Sequence, residues 1–133
     1  MKNLILLRGL PGSGKSSLAE MFNQLPNSRS VAADDYFTDS ISGSYDFILS
    51  QLHQSHVWCR EQCESFMKED VETIIVHNTF STESEMEKFL EMGAAYGYII
   101  RTIIVENRHG GKSVHCVDEA TMERFRNRFA IKL

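Results

Sequence analysis

Gly9-Leu10-Pro11-Gly12-Ser13-Gly14-Lys15-Ser16, entered from the apolar run Leu4-Ile5-Leu6-Leu7, is the stretch that decides the fold. It meets the pattern G-x-x-x-x-G-K-[S/T] in full. It also lies between a short buried strand and a helical pattern from Lys15 to about Leu25, the context such a loop requires. Each residue type has a physical task there. Gly12 and Gly14 open backbone conformations closed to other residues and let the chain approach a ligand closely. The loop amides then line a concavity suited to phosphate oxygens, with the positive end of the following helix behind them. Lys15 is expected to reach the β- and γ-phosphates of a nucleoside triphosphate, ATP above all, and the Ser16 hydroxyl to coordinate Mg2+. Gly9, Pro11, Ser13 and Ser17 complete the expected binding loop.

Outward from this loop, strand and helix patterns alternate. Leu18, Met21, Phe22 and Leu25 share one side of the first helix, and Pro26-Asn27-Ser28 breaks it. Arg29 to Ala33 reads as a second strand ending at Asp34-Asp35, followed by a polar loop with Gly43. A long helix is expected from Asp46 to about Lys68, its apolar face built from Ile48, Leu52, Ser55, Cys59, Cys63 and Phe66. Thr73 to Val76 is a third buried strand and Ser81 to Tyr96 a third helix, with Thr82 and Glu85 spaced for a capping box. Tyr98 to Val105 is a fourth strand, and Asp118 to about Phe129 a last helix. Buried strands alternating with helices imply an α/β three-layer sandwich, a parallel sheet covered on both faces, of the P-loop type.

Composition fits that picture. A chain of 133 residues suffices for one core and is too short for two, so residues 1–133 are expected to form a single domain. No apolar run approaches the roughly 18 residues of a membrane span. The run at Leu4–Leu7 reads as a core strand and not a signal peptide. Three cysteines, an odd number, point to a reducing compartment such as the cytoplasm. Cys59, Cys63 and His56 lack a fourth ligand at a convincing spacing, so buried thiols are the expected reading. The net charge of −4 is uneven: residues 1–97 carry 7 Lys and Arg against 14 Asp and Glu, residues 98–133 carry 7 against 4. A polyanion-binding surface over the whole molecule is disfavoured; a local anion site in the last third is not.

Many P-loop motors place an acid at the end of a neighbouring strand after several apolar residues. Here Thr73 to Val76 ends in His77, so an ATPase motor is disfavoured. The acids lie at the end of the second strand instead, where Asp34 is placed to accept a proton from an attacking hydroxyl. An Asp pair that merely begins a turn is the alternative.

Several stretches together resemble the polynucleotide-kinase-like P-loop kinases. They are Leu7 to Ser17, Ala33-Asp34-Asp35-Tyr36-Phe37, Tyr45-Asp46-Phe47, His56 with Cys59, Asn78-Thr79, and His115-Cys116-Val117. The family includes the kinase domain of phage-type polynucleotide kinase and many small phage and bacterial ATP-binding proteins. The resemblance implies transfer of the ATP γ-phosphoryl group to a hydroxyl of a nucleotide, a nucleoside or a nucleic-acid 5′ end. It also implies Asp34 as general base, with Lys112, or Arg108 second, closing over the phosphates from the loop before the last helix. The chain departs from the family after the third strand: His77-Asn78-Thr79-Phe80 stands where Asp-Asn-Thr-Asn is common. That side faces the acceptor, so the acceptor is left open, and His77 has two readings, a group that orients it or a polar strand end. Tyr36 and Phe37 read equally as base-stacking or loop-packing residues. Arg124, Arg126 and Arg128 are expected on a solvated face. An ATP-binding regulatory module with little or no turnover is the rival function.

Overall fold

The computed structural model describes residues 1–112 and 117–133; the expected His115 and Cys116 of the loop before the last helix fall outside them. Four strands form one sheet: β1 (Asn3–Arg8), β2 (Ser28–Val31), β3 (Thr73–His77) and β4 (Ile99–Ile104). Their order is β2-β3-β1-β4, and every pairing is parallel. Four helices accompany them: α1 (Lys15–Phe22), α2 (Leu52–Lys68), α3 (Glu83–Ala95) and α4 (Glu119–Arg128). The expected α/β sandwich with a parallel sheet is therefore the fold.

The strand period of two divides the core. Leu4, Leu6, Ile74 and Val76 pack on one face with Cys59, Cys63 and Met67 of α2 and with Met86 and Phe89 of α3. Ile5, Leu7 and Ile75 pack on the other with Ala19, Leu18 and Phe22 of α1. Both faces of β1 and β3 are covered, which is why these strands are apolar without alternation. β4 is an edge strand. Ile99 is 43% exposed, and Arg101 and Thr102 are exposed as well.

Several boundaries move relative to the sequence expectation. α1 stops at Phe22, and Met21 and Leu25 face solvent, because only Leu18, Ala19 and Phe22 reach the sheet. β2 stops at Val31: the Asp35 carboxylate accepts the Ala32 N–H at 2.9 Å and turns Ala33–Phe37 into a 3-10 segment. α2 begins at Leu52 and not Asp46, since Asp46 N–H is bound to the Phe37 carbonyl at 2.9 Å and Thr38 bridges Tyr45. Ile48 and Leu52 are consequently exposed, and the buried face of α2 runs Ser55, Cys59, Cys63, Met67. At α3 the Thr82 hydroxyl accepts from Glu85 N–H as expected, but the Glu85 carboxylate returns to Ser81. Asp118 caps α4 through Thr121 N–H at 2.7 Å. Among the described residues no helix is long and apolar enough to cross a membrane.

Candidate active site

The sheet order puts β1 in the middle, so the loop after Arg8 leaves at the crevice where the strands end, flanked by the ends of β3 and β2. Gly14 caps α1 with φ +99°, a left-handed conformation, and supplies no side chain. The first turn of α1 carries no acid, so its amides and the helix dipole together favour an anion. Gly9 is required by closeness: a Cβ there would stand 2.6 Å from Ser13 Oγ and 2.7 Å from the Val105 carbonyl. Ser13 Oγ is buried and has no hydrogen-bond partner among the described residues. Loop shape, bare helix end and orphaned hydroxyl all fit a phosphate group.

Lys15 lies over this loop. Its Nζ donates to the Gly9 carbonyl at 2.7 Å and the Leu10 carbonyl at 3.0 Å. Burial pushes its ammonium down to about 8, against an opposing attraction from Asp34. Ser16 and Ser17 are exposed on the first turn, Ser16 beside Lys15. Among the described residues no group of three His, Cys, Asp or Glu side chains is placed to hold a metal ion. A divalent cation here would be shared between the Ser16 hydroxyl and phosphate oxygens, the arrangement Mg2+ favours. The thiols of Cys59 and Cys63 are buried and pushed up to about 12, which keeps them protonated and inert.

The two aspartates separate by task. Asp35 is used up in the local turn, through Ala32 N–H. Asp34 lies on the crevice side, where its charge acts on Lys15, His56 and His77 and its Oδ1 accepts from the Tyr45 hydroxyl at 3.1 Å. Burial and Asp34 together push that phenol up to about 12, so it remains a donor. His77 stands at the tip of β3, paired in register with Leu7. Burial lowers its pKa, Asp35 and Asp34 oppose this and Lys15 adds to it, so the ring is neutral at neutral pH.

Asn78 joins the parts. Its Oδ1 accepts Ala33 N–H at 2.8 Å, and its Nδ2 donates to Cys59 Sγ at 3.7 Å. The next residue, Thr79, accepts Gly9 N–H on its carbonyl at 3.1 Å. The turn after β3 thus fastens both the start of the phosphate loop and the segment carrying Asp34. The pair Asn78-Thr79 and Tyr45 stood out in the sequence only as resemblance; their work as clamp and donor depends on long-range contacts.

The loop after β4 also comes to the phosphate loop, though not through the expected cations. His109 Cε1 lies in van der Waals range of Gly14, and Gly111 packs against the Gly12 carbonyl. Arg108 turns outward to Glu106 at 3.0 Å, and Lys112 is exposed. Charge alone had marked His109, with no signal for its position. Beside Gly9, Leu10 and Ser13 lies an apolar cavity of about 220 Å3, closed by Ile104, Val105, Asn107 and Phe129. Tyr36 and Phe37 divide the two roles foreseen for them. Phe37 is buried in an aromatic cluster, and Tyr36 is 37% exposed beside Trp58.

Residues 4–110 match the family described as the AAA domain. NEDD4-binding protein 2 of Homo sapiens is 34% identical over 96 residues, covering 71% of this chain and 5% of that protein. The 2′,3′-cyclic-nucleotide 3′-phosphodiesterase of Pongo abelii is 29% identical over 109 residues, covering 79% of this chain and 24% of that protein. The chain therefore spans a quarter or less of the length of these relatives. Among solved structures, a chain of the Pnkp1/Rnl/Hen1 RNA repair complex superposes with a TM-score of 0.71 at 18% identity, over 96% of this chain and 44% of that one. At that identity the likeness is one of fold, and the fold is that of P-loop kinases.

Proposed function

Because this chain belongs to the AAA domain family and has the fold of P-loop kinases, we propose that it transfers the γ-phosphoryl group of ATP to a hydroxyl acceptor, with Mg2+. The observation that carries the reading is the convergence of Lys15 and Asp34 on one crevice, held there by the turn at Asn78 and Thr79. The phosphate loop from Gly9 to Ser17 binds the triphosphate, and the base occupies the apolar cavity walled by Phe129. The acceptor oxygen attacks the γ-phosphorus. The new P–O bond forms as the bond to the β–γ bridging oxygen breaks, ADP leaves, and the hydroxyl proton passes to the Asp34 carboxylate. Lys15 and a cation from the loop at Arg108 to Lys112 balance charge on the transferring group. Mg2+, held by the Ser16 hydroxyl and the phosphates, would neutralise charge between the β- and γ-oxygens.

Transfer of label from γ-labelled ATP to a panel of nucleosides, nucleotides and 5′-hydroxyl oligonucleotides tests the proposal. Asp34→Asn is expected to lower kcat by about 10²–10⁴-fold while ATP binding stays unchanged. Full activity in that variant would remove Asp34 from the role of base. The replacement of an acid by His77 favours a second reading, an ATP-binding module without turnover. Tight ATP binding with no labelled product from any acceptor would support it.

A further inference from the structure

Resting on the phosphotransferase reading, we infer that the acceptor is an uncharged hydroxyl compound with a flat apolar face, a nucleoside in chemical class, and not a nucleotide or a nucleic-acid end.

The acceptor side of the crevice is a continuous piece of chain. Residues 30–59 contain Asp34, Asp35, Asp39 and Asp46 and neither Lys nor Arg. This stretch forms the 3-10 segment with Asp34, the loop closed by the Thr38–Tyr45 bridge, and the first turns of α2. The groups there able to take positive charge are His53 and His56, and burial lowers the pKa of His56, with Arg60 and His53 adding to the effect. Arg60, the next cation along α2, lines a groove with Glu61, Glu64 and Lys88. The arginines of α4 are engaged as well: Arg124 with Thr121, Arg126 with Glu119 and Glu123, Arg128 with Ser81 and Glu85. Arg108 and Lys112 belong to the loop that packs on the phosphate loop, the donor side.

A nucleic-acid 5′ end, or a nucleoside 3′-phosphate, carries an anion one sugar away from the reacting hydroxyl. Recognition of such an anion rests on Lys, Arg or helix amides. On this side it would meet carboxylates instead, and like charges at that range repel. The surface offers rings in their place. Phe37 is buried at the centre of a cluster, edge-on to Tyr36 at 5.3 Å, Phe47 at 5.1 Å and Tyr45 at 6.4 Å. Tyr36 and Phe47 keep 37% and 45% of their surface exposed, with Ile41, Ile48 and Leu49 beside them in the chain. Exposed rings within a few residues of Asp34 suit the face of a base, whose stacking needs no charge.

Trp58 provides the probe, since it is the sole tryptophan and its ring lies 5.9 Å from Tyr36. Its fluorescence is to be titrated in the full chain, with Mg2+ and a non-hydrolysable ATP analogue present. The ligands are the four ribonucleosides, their 3′-monophosphates and a 5′-hydroxyl oligonucleotide, at low and high salt. At least one nucleoside is expected to bind about tenfold or more tightly than its 3′-monophosphate, with the gap narrowing as salt screens repulsion. Asp46→Lys should narrow it too, and Phe47→Ala should weaken nucleoside and 3′-monophosphate alike, by about 5–100-fold. Equal or tighter binding of the 3′-monophosphate or oligonucleotide, with affinity falling as salt rises, overturns the inference, as does failure of all four nucleosides to bind. Label transfer separates the two levels. Nucleoside preference without transfer to any nucleoside defeats the kinase reading and leaves the ligand class standing. Transfer to the oligonucleotide ahead of every nucleoside defeats the ligand class and leaves the kinase reading standing.

Discussion

Lys15 shows what a single side chain is asked to tolerate in this crevice. Its ammonium is held by two loop carbonyls, and burial brings it down to about 8 from an ordinary 10.5. Below about 8 it is charged in both the folded and the unfolded chain. Between about 8 and 10.5 the unfolded chain keeps a proton that the folded chain has released. Folding stability therefore rises with pH across that window. Phosphate oxygens reverse the situation, since an anion in contact favours the charged form. Binding of ATP should take up a proton at alkaline pH. Calorimetry near pH 9 in buffers of different ionisation enthalpy should show uptake approaching about one proton per ATP. It should be small at pH 7 and absent in Lys15→Met, with wild-type affinity falling as pH rises past about 8. Buffer-independent heats near pH 9 would show that the lysine is not the phosphate ligand.

Among the elements, the turn after β3 has the widest reach. Asn78 fastens the 3-10 segment to α2, and Thr79 fastens the phosphate loop to β3. Removing the Asn78 side chain leaves Ala33 N–H without its acceptor, at a cost of about 1–3 kcal/mol. Asn78→Ala is expected to lower the urea midpoint accordingly. It should lower kcat by about tenfold or more through a displaced Asp34, since about 1.4 kcal/mol of lost positioning is a factor of ten. ATP affinity should hold. Asn78→Asp retains an acceptor for Ala33 N–H and should recover a good part of kcat. Loss of ATP affinity with kcat intact would place the clamp on the donor side instead. The same long-range bonding explains the late start of α2, because Asp46 and Tyr45 are committed to the 3-10 segment before the helix begins.

At the scale of the whole molecule, the residue just before the phosphate loop ties the end of the chain to its centre. Arg8 is 3% exposed; its Nε donates to the Phe80 carbonyl at 3.0 Å and its Nη2 to the Ala130 carbonyl at 2.5 Å. Its guanidinium lies 5.0 Å from the Phe129 ring centre. Phe80 has φ +47°, rare for a residue with a side chain, and its carbonyl is held in place by this arginine. Arg128 adds bonds to Ser81 and Glu85, and Ala130 N–H one to the Ser81 carbonyl. Arg128 is therefore a docking residue and not part of a solvated face. Arg8→Met would orphan two carbonyls and should cost about 2–4 kcal/mol, measurable by urea unfolding. Trypsin should then cut faster after Arg126 and Arg128. Weaker ATP binding is expected as well, because Phe129 walls the cavity beside Gly9. Unchanged cleavage would mean that the tail is held without Arg8.

Local and periodic features were legible in the sequence. A loop whose glycines and lysine stand at fixed spacing, and strands apolar at every position, can be recognised wherever they occur, because the backbone needs them there. Hence the phosphate loop, the parallel sheet and the order of strands and helices follow from residues 1–133 as written. The ends of elements and the partners of polar side chains do not. β2 stops at Val31 because Asp35 turns back to Ala32, and α2 waits until Leu52 because residues 45 and 46 are bonded elsewhere. Which aspartate faces Lys15, that Asn78 is a clamp, and that Arg8 and Arg128 anchor the chain's end were decided only by tertiary structure. Hydrogen bonds spanning 45, 47 and 122 residues set these outcomes, and no local pattern encodes a bond of that length.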